Sequence, residues 1–260
     1  MTENIAIELV ARSGERTQAN IELMAEHRID IYLNSVLTYK LMCSKEYLEE
    51  LIIGRLLTEG VIEKYSDIHS LEICPHQKWA KLEIAQVPAK ACKCTNTSTA
   101  EPYVELTGSC CTENHQLTDI FAKRGMPPKV VKIAYNSETI FKLADIFSED
   151  TYLHALTGGA HSAFLYADDK VVFRCEDLGR HNAIDKVIGY ALKNGIDLTK
   201  AMLYTSGRVT TDMILKVLWA KIPLMASKAV ASSDAVAIGK LFNITLITNC
   251  RPNSYKIMCD

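Results

Sequence analysis

Residues 157–186 read TGGAHSAFLYADDKVVFRCEDLGRHNAIDK and pass from a strand pattern to a helix pattern. Two short apolar runs, around Leu165 and Val172, flank the pair Asp168-Asp169 and predict two strands joined by a tight turn. Asn194-Gly195 predicts the end of the helix that follows. Its apolar face recurs at Ile184, Val187, Ile188, Ala191 and Leu192. This stretch therefore predicts a hairpin that leads directly into a helix.

The sequence after this stretch alternates short apolar runs with helical patterns. The apolar runs are 201–205, 223–226 and 244–248. Helical spacing relates Met213, Ile214, Val217 and Leu218 in the first interval, and Ala235, Ile238, Leu241 and Phe242 in the second. This β-α-β-α-β order implies parallel strands with helical crossovers, which is an α/β architecture.

The N-terminal part predicts a strand-rich region with one long helix. Alternating apolar and polar residues over 3–42, with a turn at Asn34-Ser35, predict antiparallel strands. Ser44 is a candidate N-cap for a helix that ends near Gly60. Further strands are expected at 68–74, 79–87 and 103–106, and further helices at 117–123 and 137–147.

The polar residues of the opening stretch gather where its second strand gives way to its helix. The predicted loop carries Glu176, Asp177, Gly179, Arg180, His181 and Asn182. A helix start offers unpaired N–H groups and a partial positive charge, so Arg180, His181 and Asn182 there suit an anionic ligand. The alternative is that Asp177 or Asn182 caps the helix while Glu176 pairs with Arg180 on the surface.

Two more loops place polar groups at equivalent points of the predicted sheet. Ser206, Gly207, Arg208 and Thr210 follow one strand, and Ser227, Lys228, Ser232 and Ser233 follow the next. Ligands of open α/β sheets bind beyond the carboxyl ends of the strands, where loops meet helix N-termini. The three loops therefore predict one rim of cations, hydroxyls and backbone donors, which glycines at 158, 159 and 179 would let a ligand approach closely. For each loop alone, capping hydroxyls and solvated cations are the alternative.

Composition limits the class of protein. The chain has 260 residues, of which 48% are hydrophobic and 23% charged, as in an ordinary globular protein. A net charge of -2 gives no electrostatic argument for nucleic acid. No apolar segment approaches the roughly 18 residues of a membrane span, and the first residues do not resemble a signal peptide. We therefore expect a cytoplasmic protein that binds neither nucleic acid nor membrane.

The nine cysteines are expected to be free thiols rather than a disulfide framework. Five stand alone beside apolar neighbours and are expected in the core: Cys43, Cys74, Cys175, Cys250 and Cys259. The other four form the pairs Cys92 with Cys94 and Cys110 with Cys111. Neither pair is a C-x-x-C, and with the histidines they make no standard zinc spacing, so no metal is expected.

Several motifs together resemble the FdhD family of formate dehydrogenase accessory sulfurtransferases. TGGAHSA and EDLGRHNAIDKVIG look like the family signature. TSGRVTTDMILK from Thr205 and KIPLMASKAVASSDAVAIGKLFNITLIT from Lys221 resemble the segments that follow it. LMCSKEYLEELIIGRLLTEGVI resembles a stretch near the family's N-terminus. The motifs occur in the family's order over roughly 30–258.

The resemblance implies both a fold and a function. It implies a cytidine-deaminase-like three-layer α/β domain over 115–260 and a smaller strand-rich domain over 1–114, which ends in the Cys110-Cys111 loop. The implied function is to receive persulfide sulfur from a cysteine desulfurase. That sulfur would pass to the molybdenum or tungsten bis-pterin guanine dinucleotide cofactor of formate dehydrogenase, with GDP as a partial mimic of the cofactor. A homodimer is also implied.

Site residues follow from the same resemblance. Cys110 matches the persulfide-forming cysteine, but Glu113 occupies the place of the second cysteine of the family's C-x-x-C, which leaves Cys111 as a substitute partner. Adjacent cysteines close a strained ring, so they are poor disulfide partners. The expected cofactor-binding residues are Gly158, Gly159, His161, Glu176, Asp177, Arg180, His181, Asn182, Ser206, Gly207, Arg208, Ser227, Lys228, Asn249, Arg251 and Asn253.

Two other functions compete with sulfur transfer. A cofactor-binding chaperone would keep the rim loops and would not need a thiol. A zinc deaminase would need H-x-E followed by P-C-x-x-C, whereas His161 is followed by Ser162 and Ala163 and no such cysteine pair comes after it. The sequence therefore favours the carrier, keeps the chaperone as the alternative and places the deaminase last.

Overall fold

The computed structural model describes residues 2–85, 105–107, 125–149 and 151–260. Seven strands and one long helix, α1 (Leu48–Thr58), form its N-terminal part. The strands are β1 (Thr2–Val10), β2 (Arg16–Met24), β3 (His27–Leu33), β4 (Val36–Cys43), β5 (Ile68–Ile73), β6 (Trp79–Ile84) and β7 (Glu105–Thr107). β1 and β2 form a separate hairpin, and the other five make a sheet in the order β5-β6-β3-β4-β7. The turn between β3 and β4 is at Asn34 and Ser35, as predicted, with φ of 46° and 69°.

The C-terminal part is a six-stranded sheet with helices. Its helices are α2 (Ser137–Glu149), α3 (Tyr152–Thr157), α4 (Arg180–Lys193), α5 (Thr211–Trp219) and α6 (Ser233–Phe242). Its strands are β8 (His161–Ala167), β9 (Lys170–Asp177), β10 (Met202–Thr205), β11 (Leu224–Ser227), β12 (Thr245–Arg251) and β13 (Ser254–Cys259). The sheet order is β13-β12-β11-β10-β8-β9.

The pairing of this sheet follows the sequence prediction. β10, β11 and β12 are parallel, while β8 and β9 form the expected antiparallel hairpin. Asp168 and Asp169 make its turn with φ of 51° and 57°, which short polar residues tolerate best after glycine.

Both faces of this sheet are covered by helices, because neighbouring strand residues point to opposite sides. Phe164 and Tyr204 join the buried cluster of α2, where Phe147 packs on both rings. Leu165 and Leu203, one position along, join the cluster that includes the apolar face of α4. The result is a three-layer α/β arrangement, and the predicted fold class is confirmed.

Helix α1 connects the two sheets through a close crossing with α4. A Cβ at Gly54 would overlap the backbone of Asp185, and one at Gly189 would overlap the backbone of Glu50. The two backbones therefore touch where neither helix carries a side chain. The same buried cluster contains Ile31 of β3 and Val187 of α4, so the core continues from one sheet to the other. The division into domains 1–114 and 115–260 stays a prediction.

The predicted cap by Ser44 is wrong. Helix α1 begins at Leu48 after Tyr47, and no side chain caps it. Ser44 is buried instead, where its hydroxyl donates to Asp177 Oδ2 at 3.0 Å and accepts from Lys186 Nζ at 2.7 Å. Hydrogen bonds to two buried charged groups are stronger than a neutral cap at a helix end, which explains why Ser44 bonds to Asp177 and Lys186 and does not cap α1.

Candidate functional site

The loops that follow β10 and β11 are fixed to one another at one edge of the sheet. Val209 N donates to Val230 O at 2.9 Å, and Ser232 N donates to Val209 O at 3.0 Å. Ser227, whose prediction as a ligand contact is untested, is fully buried and donates its hydroxyl to Gly207 O at 2.7 Å. Because backbone and side-chain bonds join the loops, this edge is a preformed surface.

A cavity of about 310 Å³ opens beside these loops. The residues that line it come from five segments of the C-terminal part: Phe147, Thr151, His154, Gly158, Gly159, Ala160, His161, Ser162, Ser206, Lys228, Ala229 and Arg251. Six of the predicted cofactor-binding residues are among them: Gly158, Gly159, His161, Ser206, Lys228 and Arg251. The structure thus brings together predicted residues that are 93 positions apart at the extremes, from 158 to 251.

His161 is a neutral polar group in the cavity wall. Its Nδ1 lies 3.3 Å from Ser206 Oγ, and Ser206 Oγ also accepts the backbone N–H of Ser162 at 3.0 Å. Burial lowers the pKa of His161, and the nearby Arg180 lowers it further. Because Nδ1 faces Ser206, the neutral imidazole can offer a ligand one hydrogen bond through Nε2, as donor or acceptor according to its tautomer.

Gly158 and Gly159 form one side of the cavity, which we call the glycine wall. Its shape depends on the backbone conformation of Gly158. This residue ends α3 with φ of 67°, a left-handed conformation that favours glycine. Its N–H donates to His154 O at 2.8 Å, and the next N–H, of Gly159, donates to Thr157 Oγ1 at 3.1 Å. A Cβ at Gly158 would meet no atom within 4 Å, whereas one at Gly159 would contact the side chains of Met24 and Thr157 at 3.6 and 3.7 Å.

The predicted arginines occupy different depths. Arg180 lies against Gly207, where a Cβ would be 2.9 Å from Arg180 Cβ, and Arg208 is exposed. Within the part of the chain that the structure describes, the buried Nε of Arg180 has no hydrogen-bond partner. Arg180 and Gly207 are therefore packed together, which explains the glycine at 207.

The predicted site residues near the C-terminus differ in whether they line the cavity. Arg251 ends β12 and lines the cavity, whereas Asn253 is exposed in the turn before β13. Asn249 has φ of 50°, and its N–H donates to Ala229 O at 2.9 Å. Asn249 thus holds the cavity residue Ala229 through its backbone.

Comparison with known proteins identifies the family. The sequence model of the FdhD/NarQ family matches residues 24–260. The chain belongs to the FdhD/NarQ family. The Sulfur carrier protein FdhD of Shouchella clausii is 28% identical over 249 residues, covering 95% of this chain and 91% of that protein. The Sulfur carrier protein FdhD of Wolinella succinogenes is 28% identical over 258 residues, covering 98% and 86%.

A solved structure has the same fold as this FdhD/NarQ chain. It is the crystal structure of a protein described as a formate dehydrogenase accessory protein, from Desulfotalea psychrophila. The TM-score is 0.78 at 23% identity, and the match covers 100% of this chain and 97% of that one. This agreement supports the fold class independently of the sequence pattern.

The polar cluster of the FdhD/NarQ signature is not a loop, which corrects the sequence prediction. Glu176 and Asp177 are the last residues of β9, and Arg180, His181 and Asn182 form the first turn of α4. Strand β9 pairs with β8 as far as Asp177, which lies opposite His161, so the connection from β9 to α4 is short. The ladder of β8 and β9 therefore fixes the ends of both strands at the cavity edge.

Three residues of this signature form a buried network with Ser44. Asp177 Oδ1 accepts from Gly179 N and from Asn182 Nδ2, both at 2.9 Å. Asp177 Oδ2 accepts from Ser44 N at 3.0 Å and pairs with Lys186 Nζ. We call Ser44, Asp177, Asn182 and Lys186 the signature network. It joins α4 to the end of β4, since Asn182 also donates to Met42 O at 2.8 Å.

A second buried cluster was missed by the sequence reasoning. Lys216 Nζ donates to both carboxylate oxygens of Asp185 at 2.9 Å, and Thr58 Oγ1 donates to Asp185 Oδ1 at 2.8 Å. His181 is buried nearby, and burial, followed by the charges of Lys216 and Arg180, lowers its pKa to about 2. Asp185 adjoins the apolar helix face that Ile184 and Val187 define. A charged residue beside a buried face was the signal in the sequence that could have indicated this cluster.

The cysteines divide as the prediction expected, as far as the structure describes them. Cys43, Cys74, Cys175, Cys250 and Cys259 are buried free thiols. Burial raises the pKa of Cys43 and of Cys175 to about 12, so these two are poor nucleophiles. Cys92, Cys94, Cys110 and Cys111, and the helix expected over 117–123, lie outside the described residues.

Two searches of the described residues bear on other predictions. Across 2–85, 105–107, 125–149 and 151–260, His, Cys, Asp and Glu side chains do not gather in threes around a metal-sized space. Over the same residues, every helix is too short or too polar to cross a bilayer. The predictions about zinc and cellular location stay predictions.

Proposed function

We propose that this FdhD/NarQ protein is a sulfur carrier that serves formate dehydrogenase. It would take persulfide sulfur from a cysteine desulfurase and deliver it to the molybdenum or tungsten bis-pterin guanine dinucleotide cofactor. The single observation that carries the proposal is a cavity that combines Lys228, Arg251 and a glycine wall in a chain of this family. The names of the relatives, sulfur carrier and formate dehydrogenase accessory protein, support it.

The cavity suits the guanylate end of the cofactor. Its volume of about 310 Å³ is at the lower end of ordinary ligand sites, so one nucleotide-sized group fits better than the whole cofactor. Lys228 and Arg251 supply charge for phosphate oxygens, as Lys and Arg do in other phosphate sites. Gly158 and Gly159 let the ligand approach the backbone, and neutral His161 adds a directional hydrogen bond.

The sulfur step is assigned to Cys110. Its thiolate attacks the terminal sulfur of the donor's persulfide, a new S–S bond forms at Cys110, and the donor cysteine leaves as a thiolate. A second thiol, from Cys111 or a small-molecule thiol reductant, then forms a disulfide with Cys110. That exchange releases the carried sulfur as sulfide to the cofactor metal, so the electrons balance.

A cofactor-binding chaperone without sulfur transfer is the second candidate. The observation that favours it is Glu113 at the position of the family's second cysteine. Such a protein would need the cavity and its cations and would not need Cys110. A homodimer is a further prediction under either function, to be checked by analytical ultracentrifugation.

Mass spectrometry after incubation with a cysteine desulfurase and cysteine separates the two candidates. We expect an added sulfur atom on Cys110. Cys110→Ser should abolish this adduct and the rescue of formate dehydrogenase activity, whereas Cys111→Ser should only weaken both. If both single variants still rescue formate dehydrogenase activity and the unaltered protein carries no added sulfur on Cys110 or Cys111, the carrier is refuted in favour of the chaperone.

A further inference from the structure

Glu176, which is predicted to contact the cofactor, bonds to His154 and Ser162, two of the residues that line the cavity. Its Oε2 accepts the backbone N–H of Leu153 at 2.7 Å, and its Oε1 accepts the N–H of His154 at 3.0 Å. These are N–H groups at the start of α3, where the helix has no intrahelical partners for them. Thr151 precedes the helix but makes no side-chain cap. A carboxylate from β9 therefore does the work of the missing cap.

Helix α3 and the residues after it supply much of the cavity wall. Five of the twelve lining residues lie between 151 and 160. His154 Nδ1 lies 2.9 Å from Ala160 O and must donate to it, since a carbonyl only accepts. The helix start that Glu176 holds is thus bonded directly to the far end of the glycine wall.

The same carboxylate reaches the opposite wall. Ser162 Oγ donates to Glu176 Oε1 at 3.1 Å, and Ser162 N donates to Ser206 Oγ at 3.0 Å. Ser206 in turn contacts His161. Glu176 is therefore bonded to both sides of the cavity, and its β9 backbone pairs with Ser162 of β8, which fixes its own position.

We propose that Glu176 is a positioning residue: it clamps the 151–160 wall against the Ser162–Ser206 wall and so sets the cavity's shape for an anionic ligand. The identity of that ligand rests on the proposed function, whereas the clamp does not. The role is distinct from direct contact with the ligand, since a carboxylate beside phosphate would repel it.

The sign of a charge change separates clamping from simple electrostatics. Glu176→Gln removes a negative charge near a cationic cavity, so Coulomb forces alone would tighten binding of GDP. Clamping predicts the opposite, because the amide NH₂ of glutamine would face the Leu153 or His154 N–H group, donor against donor. Glu176→Asp keeps the charge but is one methylene shorter and should not span both N–H groups.

Calorimetry with GDP and amide hydrogen exchange test the clamp together. We expect both Glu176 variants to bind GDP roughly tenfold more weakly. Exchange at Leu153, His154 and 158–160 should rise by roughly tenfold while the helix α4 amides stay unchanged. Glu149→Gln is the matched control, since exposed Glu149 is two residues beyond the lining residue Phe147, and it should leave GDP affinity unchanged or tighter.

The binding and exchange results decide between the clamp and a purely electrostatic effect of Glu176. Equal or tighter GDP binding by Glu176→Gln, with unchanged exchange at 151–160, overturns the clamp. If the unaltered protein binds no GDP, the proposed ligand fails and the exchange arm alone judges the clamp. If the Glu176 variants do not fold, Ser162→Ala removes one of the carboxylate's bonds and should raise exchange at 158–160 roughly threefold. No rise in that variant would refute the clamp.

Discussion

The cavity wall and the signature network both include residues of the stretch 157–186, but they differ in what their polar groups bind. In the network, Asp177 and Lys186 are fully buried and bonded to each other and to Ser44. In the wall, Lys228 and Arg251 are at least partly accessible and line an open space. The buried polar groups of the network thus hold α4 in place, whereas the accessible cations of the wall are the groups that the proposed ligand would contact. Substitutions in the two regions should therefore affect different measurements.

The largest effect is expected in the signature network. Lys186→Met leaves the buried carboxylate of Asp177 without its cation, which should lower the free energy of unfolding by about 3 to 5 kcal/mol. Urea unfolding measures this. Lys200→Met is the control, because Lys200 pairs with Asp197 on the surface and should cost less than about 1 kcal/mol. A loss in Lys186→Met no larger than in the control would refute the structural role of the network.

Substitutions in the cavity should instead weaken ligand binding and leave stability almost unchanged. Lys228→Ala and Arg251→Ala should each weaken GDP binding by about 1.5 to 3 kcal/mol, since each removes a charge-assisted hydrogen bond. Their free energies of unfolding should stay within about 0.5 kcal/mol of the unaltered protein. Calorimetry measures the affinity, with Lys256→Ala, at an exposed position of strand β13, as the control. The site would be misplaced if the control weakened binding as much as the cavity variants.

The difference between the two regions also explains which features the sequence could predict. The hairpin turn at Asp168-Asp169, the parallel strands and helix α2 follow from local composition and periodicity, and all are present. The buried bonds of Ser44 involve a residue 133 positions away, and no local pattern reports such a partner. Helix α3 was not predicted, because six residues are too few to show a helical period.

The structure gathers part of the predicted site around one cavity, and the site itself stays a prediction. Chain order put three loops at the carboxyl ends of the strands, and the cavity lies there. The pattern could not separate lining residues from supporting ones, since Asp177 and Lys228 are equally polar in sequence. Burial separates them: Asp177 is 0% exposed, which only the fold reveals.

A pH effect is expected from His181, which belongs to the buried side of the comparison. Its pKa is about 2 in the folded protein, lowered first by burial and then by Lys216, against about 6.5 when unfolded. Between these values the unfolded chain binds more protons, so stability is complete above pH ~6.5 and falls as pH decreases. We expect the loss between pH ~7 and ~5 to be about 2 kcal/mol from this group.

Urea unfolding at several pH values tests the assignment to His181. His181→Gln removes the titration and should flatten the pH dependence by about the same 2 kcal/mol. His76→Gln, at an exposed position, should leave the slope as it is. An unchanged slope in His181→Gln would mean that other groups cause the acid sensitivity.

The smallest effect is expected at Ser206, which lies between the two regions. Its hydroxyl accepts the N–H of Ser162, a supporting bond, and it contacts His161, a cavity residue. Ser206→Ala should lower the free energy of unfolding by about 1 kcal/mol, because one neutral hydrogen bond is lost. It should also weaken GDP binding by about 1 kcal/mol or less, because His161 loses the partner that orients its ring. Ser206→Thr keeps the hydroxyl and should restore both values if the added methyl group fits. A change in stability with no change in affinity would assign Ser206 to the supporting side alone, and a change in affinity alone would assign it to the cavity.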